Sequence, residues 1–193
     1  SFSHSDDNID TLLNSHNELS WDTVDSPYSN IYDNLSHQFG LEIHGDPLGE
    51  IVNFDPQDET KSCAVASTNM IFNSLGYDFG EHALADTFEQ FGIYDPMSGT
   101  DPHAIEAAIN KIAETSGLDC RATEINGFNI EQLKTSLDSD DKILIGLNSS
   151  KLYNDYNMTL EELNYMPITG HAVQLTGISD DESFAIAFPF ILH

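Results

Sequence analysis

Apolar residues recur at helical spacing through the first half of the chain and in short alternating or continuous runs through the second, and this change of period organises the sequence. "IDTLLNSHNEL", residues 9–19, puts Ile9, Leu12, Leu13, His16 and Leu19 on one helical face, inside a stretch, residues 1–26, otherwise rich in Ser, Asp and Asn. Behind Pro27, "SPYSNIYDNLSHQF" sets Tyr28, Ile31, Tyr32, Leu35 and Phe39 at the same spacing, and Gly40 stops the helix. Residues 1–45 therefore read as an acidic N-terminal arm with one or two helices, and residues 46–193 as the body.

In the body the pattern predicts a helix from Cys63 to Leu75, ended by Gly76, and a second from about Glu81 to Phe91. A third opens on Asp101 as cap with Pro102 in the first turn, and closes before Gly117. "CRATEI" (120–125) then reads as a strand, "NIEQLKTSL" (129–137) as a short helix and "KILIGLN" (142–148) as a buried strand. "HAVQLTGI" (171–178) and "FAIAFPF" (184–190) read as two strands joined by the turn "SDDE". Helices first and antiparallel strands afterwards describe an α+β domain of two lobes. The stretch 149–169 is long for a connection in a compact domain, and loops of that length serve as lids or binding loops.

Charge narrows the partners. Thirty-three acidic against six basic side chains give a net charge of −27, a field that repels nucleic acid and anionic membranes and favours neutral or basic partners. No run of eighteen apolar residues and no signal peptide at Ser1 appears, so the expectation is a soluble chain, already trimmed. "DDNID" (6–10) and "DSDD" (138–141) lack the glycine and terminal glutamate of a calcium loop, no histidine pair has zinc-helix spacing, and phosphate loops and basic stripes are absent. Neither metal nor cofactor is expected.

Two cysteines lie 57 positions apart in dissimilar surroundings, which weighs against a disulfide. Cys63 heads a helix, where free backbone N–H groups and the positive end of the dipole favour a thiolate. Two readings stay open there: a nucleophile, or a small core residue of a type that is commonly buried. Gln57, on the loop six residues ahead, carries an amide suited to donate to an oxyanion beside the backbone N–H of Cys63. Of eight histidines, His171 follows Gly170 and opens an apolar strand, and an imidazole there suits proton transfer to and from a thiol and a leaving amine. Of the others, His4, His16, His37 and His44 belong to the N-terminal region, His82 and His103 to helix starts, and His193 to the terminus. Cys120, between Asp119 and Arg121, has no activating pattern and reads as a structural thiol.

Taken as a set, "QDETKSCAVASTNMIFNSLG", the "GT" of Gly99 and Thr100 before a helix, "ILIGLN" and "GHAVQLTGIS" resemble the papain-like cysteine peptidases that include the bacteriocin-leader-processing domains of double-glycine exporters and their stand-alone relatives. The resemblance runs over roughly residues 46–189. It implies a papain-like two-lobe fold, Cys63 as nucleophile, His171 as general base and acid, Gln57 as oxyanion donor, and a peptide or protein substrate. It further implies a bacterial, secreted or periplasmic setting. One departure stands out. Such relatives carry a polar residue on the strand after the histidine strand that orients the imidazole, and here Ala187 and Phe188 occupy that stretch. Asp180 and Asp181 lie in the intervening turn and should point away from His171. The expected functions are accordingly a thiol peptidase or peptide-bond acyl transferase, or a degenerate relative that binds a peptide without cutting it. A third, weaker reading is a secreted interaction module whose acidic arm does the binding.

Overall fold

Helices start and stop where the sequence supplies caps, turns and glycines. The computed structural model describes residues 42–55, 57–59, 61–148, 170–182 and 185–188. The two N-terminal helices and the long connection 149–169 anticipated above lie outside the described residues. Apart from Glu42, the described residues belong to a unit running from Ile43 to His193.

Strand β1 (Ile43–Gly45) leads into α1 (Pro47–Glu50), whose first turn is capped by the Asp46 carboxylate accepting from Gly49 N–H and begins with proline. A turn of 3-10 helix (Ile51–Asn53) follows, then α2 (Cys63–Ser74) and α3 (Glu81–Gln90). A two-residue hairpin, β2 (Tyr94–Asp95) and β3 (Gly99–Thr100), precedes a second 3-10 turn (Pro102–Ala104), where Asp101 accepts from His103 N–H. Helix α4 (Ile105–Ser116) ends on Gly117 in the left-handed region, and α5 (Ile130–Asp138) opens with a full capping box between Asn129 and Gln132. Strands β4 (Ile143–Asn148), β5 (Gly170–Ser179) and β6 (Ala185–Phe188) complete an antiparallel sheet. The protein is thus α+β, helices first.

β5 is the spine of the sheet. It pairs with β4 over Gly170–Leu175, with β1 over Gly177–Ser179 and with β6 over Gln174–Ile178, with an irregularity between Leu175 and Gly177. Val173, Gln174, Leu175, Thr176, Ile178 and Ser179 are all buried, as expected of a strand covered on both faces. Leu137 of α5 packs on Leu175 and Ile178, with Leu133, Ile143 and Ile145 around them. A separate helical core joins Val65 and Phe72 of α2 to Leu84 and Phe88 of α3, Tyr94 of β2 and Ala108 and Ile112 of α4. Gly45, at φ 93°, is required: a Cβ there would run into the carbonyl oxygen of Thr176 and the side chain of Leu137.

The segment "CRATEI" is not a strand. Its backbone bonds sideways to side chains of α4 instead: Asn110 donates to Ala122 O at 3.0 Å and accepts from Ala122 N–H at 2.8 Å, and Glu106 accepts from Glu124 N–H at 3.0 Å. The helix supplies the partners that a neighbouring strand would have given, so the alternating pattern finds no ladder. β4 is half-buried where full burial was expected. β1, α1 and the β2–β3 hairpin were not anticipated, being too short to show a period.

Scarce cations sit at junctions. Lys134 Nζ, buried under α5, donates to Asp180 O at 2.8 Å and lies 3.4 Å from Glu131 and Glu182 carboxylates. Lys142 Nζ meets Glu50 and Asp140 at 2.6 Å each, and Gln174 donates to the other Glu50 oxygen at 2.9 Å, tying α1, β4 and β5 together. His44 of β1 sits 2.8 Å from Asp138 and 3.4 Å from Asp180. The Asp138 hydrogen bond raises the imidazole pKa; partial burial and Lys134 oppose it, and Asp180 adds to it. A folded pKa above the unfolded one gives stability that is complete below the unfolded value and is lost as pH rises through the folded value. Because both carboxylates are more than half exposed, the contribution is about 0.5–1 kcal/mol. His44→Asn should therefore lower unfolding stability near pH 5.5 by roughly that amount and make little difference near pH 8.5. Urea titrations at the two pH values measure it, and a gap that widens with pH would contradict it.

Candidate active site

Helix α2 is buried almost all round, with Ala64, Val65, Ala66, Ser67, Thr68, Asn69, Met70 and Phe72 inaccessible. Polar side chains on a helix in that position depend on partners inside the protein, and most have one, the side-chain oxygens of Asn69 and Asn73 being the exceptions. Thr68 Oγ1 donates to Ala64 O at 2.7 Å, Asn69 Nδ2 to Asp55 at 3.2 Å, and Ser67 Oγ to Ala172 O at 3.1 Å. The small residues on this helix let β5 approach closely. Ser67 lies one turn beyond Cys63, so both face β5 at its start, where Gly170, His171 and Ala172 lie.

The structure brings Cys63 and His171 together. The imidazole hydrogen-bonds the Cys63 sulfur, and backbone groups of Ala172 and Ala64 do so as well. Burial pushes the thiol up, but these bonds and the nearby imidazole charge outweigh it, and the pKa falls below the ordinary thiol value. The helix start adds to this. Ser62 occupies the N-cap yet makes no side-chain cap, its hydroxyl donating to Glu59 O at 2.9 Å instead, so first-turn N–H groups are left free to face an anion. Both cysteines are free thiols. Cys120 packs against the helical core, and burial together with the Asp119 carboxylate raises its pKa.

Gln57 is half-buried on the loop leading to Cys63, and its amide nitrogen donates to Glu59 O at 2.7 Å. An amide carries two donor hydrogens, so one remains for another acceptor. That loop is pinned at three places. Asp55 is bonded to Asn69, and the N–H of Asp58 donates to both oxygens of Glu81 at 3.1 and 3.2 Å. Ser62, 1% exposed, exchanges hydrogen bonds with Glu59. Ser67, Asn69 and Glu81 carry no sequence signal of their own beyond small or polar residues placed inside or at the start of a helix.

Other candidates stand elsewhere. His82 and His103 are exposed and face Asp86 and Glu124. Asp180 pairs with His44, at the far end of β5 from His171. A cavity of about 330 Å³, lined by residues of the β2–β3 hairpin including Tyr94, Gly99 and Thr100, does not include Cys63 or His171 in its lining. Gly99 nonetheless lies close to the approach to Cys63, since a Cβ there would sit 3.6 Å from Lys61 O. Among the described residues no three His, Cys, Asp or Glu side chains come together to hold a metal ion, and no helix is long and apolar enough to cross a membrane.

A thiol at a helix start, hydrogen-bonded by an imidazole from a sheet strand, is the site of a cysteine-peptidase-like protein. Residues 50–190 match the Peptidase_C39-like family, and the chain belongs to it. No curated protein and no solved structure matches the chain significantly.

The pKa directions separate the two thiols. Iodoacetamide should alkylate Cys63 at least about tenfold faster than Cys120 near neutral pH, with a midpoint below that of an unperturbed thiol. Peptide mapping after timed labelling reads this, and equal rates would contradict it.

Proposed function

We propose that the protein is a thiol peptidase or peptide-bond acyl transferase. In this reading Cys63 attacks a peptide carbonyl, His171 takes the thiol proton and returns it to the leaving amine, and Gln57 with the backbone N–H of Cys63 holds the oxyanion. The contact between Cys63 and His171 carries the reading. The helices bearing Cys63 form one lobe and the sheet bearing His171 the other, in a papain-like arrangement. The nearest functional kin would be the bacteriocin-leader-processing type, acting here as a stand-alone domain on a peptide or protein substrate.

One observation favours a second reading. β6 pairs with β5 over Gln174–Ile178, and Ala187 and Phe188 bring no polar group to the stretch from which an orienting residue is expected. The site is then a binding groove that has lost turnover. In a serine triad, loss of the orienting carboxylate costs about 10⁴ in turnover, and a preformed thiolate should soften that loss.

Wild type, Cys63→Ala, His171→Ala and Phe188→Asp are to be compared on a peptide library, with intact-mass detection of an acyl adduct. The peptidase reading expects slow cleavage and an adduct in wild type, both absent in Cys63→Ala, and a gain of roughly tenfold or more in Phe188→Asp. Retention of a peptide without adduct or cleavage in any variant selects the binding reading.

A further inference from the structure

Glu81 is a buried carboxylate that the chemistry above leaves unused. It is 5% exposed at the first position of α3, and no lysine, arginine or histidine among the described residues pairs with it. A carboxylate buried without a cation is costly unless donors surround it. Here the donor comes from the connection between Gln57 and Cys63. The N–H of Asp58 reaches both carboxylate oxygens at 3.1 and 3.2 Å, and the buried Ser62 hydroxyl, whose proton goes to Glu59 O, lies near the same carboxylate.

We propose that Glu81 is a positioning residue of the active site, holding the Gln57–Cys63 connection at Asp58 so that the Gln57 amide and the Cys63 N–H converge on one oxyanion. Asp58 directly follows Gln57, and Ser62 directly precedes Cys63. Glu81 thereby sets the backbone next to Gln57, and the Ser62–Glu59 bonds brace the turn that enters Cys63. Ser62, a good capping residue by type, leaves the start of α2 uncapped because its hydroxyl is engaged with Glu59. Burial raises the Glu81 pKa and the charges of Asp58 and Asp55 add to this, while the bond from Asp58 N–H holds it down. The loop and the carboxylate thus hold each other in place. The inference rests on the peptidase reading for its function, though not for its structure.

Glu81→Ala and Glu81→Gln test it, the second keeping an acceptor for Asp58 N–H and filling the same volume. Three measurements are made on each: hydrogen exchange over residues 55–64, iodoacetamide alkylation of Cys63, and kcat and KM on whichever library peptide wild type cleaves in a Cys63-dependent way. Glu81→Ala should exchange at least about tenfold faster at residues 58–63 and lose about 10²-fold in kcat, the scale of losing one oxyanion donor, with KM and the alkylation rate within threefold of wild type. Glu81→Gln should recover most of both losses. Unchanged exchange and kcat in Glu81→Ala overturns the proposal. So does a parallel collapse of exchange protection, alkylation and cooperative unfolding in both variants, which would make Glu81 merely structural. If wild type cleaves nothing, the peptidase reading fails instead, and exchange at residues 58–63 alone decides whether Glu81 holds the loop.

Discussion

The contact of α2 with the start of β5 is the constraint on which the rest depends. It places a thiol and an imidazole from residues 63 and 171 side by side, across more than half the chain. Ser67 fixes the approach through the Ala172 carbonyl, one turn from the thiol and one residue from the imidazole. A β-branched or larger side chain at this face of α2 would hold the strand off. The cost of the design is polar burial: Ser67, Thr68 and Asn69 lie inside the protein and each must find a partner. Each side chain donates to a different piece of structure, namely β5, the preceding turn of α2 and the loop at Asp55.

The same polar bonds turn a buried helix into a scaffold for a loop. Apolar contacts between α2, α3 and α4 hold the helical core but are non-directional, and they tolerate small slides. Hydrogen bonds do not. Asn69 and Glu81 reach out from α2 and α3 to Asp55 and Asp58 of the connection that enters Cys63. Hydrogen bonds weaken steeply with misalignment, so directional bonds hold the connection where apolar packing would let it slide.

What was legible in the sequence follows the length scale of each signal. Helices α2, α3, α4 and α5 and strands β4, β5 and β6 carry a period over several residues, and their starts and stops are marked by Gly76, Asp101, Gly117 and Asn129. β1 and the β2–β3 hairpin have two or three residues each and hence no period to read. "CRATEI" had strand-like alternation, but Asn110 and Glu106 of α4 took its backbone bonds, a tertiary decision that local pattern does not encode. At the site, Cys63 and His171 were visible because each combines a reactive type with a special position. Glu81 was invisible, because a glutamate at a helix start is ordinary until its burial is known.

The acidity of the chain sharpens the question of how the Cys63 pKa is lowered at all, since a net charge of −27 opposes any new negative charge. Distance and screening decide it. A carboxylate 10 Å away acts on the sulfur with about 0.4 kcal/mol in water, and salt at physiological strength cuts this to about 0.1 kcal/mol. A charge-assisted hydrogen bond at a half-buried sulfur is worth about 1.5–3 kcal/mol, so the bonds from His171, Ala172 and Ala64 outweigh many distant acids. The principal opponents of the thiolate are therefore near and of another kind, led by burial of the sulfur itself. Surface acidity and a lowered Cys63 pKa coexist because the first acts at long range and is screened while the bonds behind the second are short-range and directional.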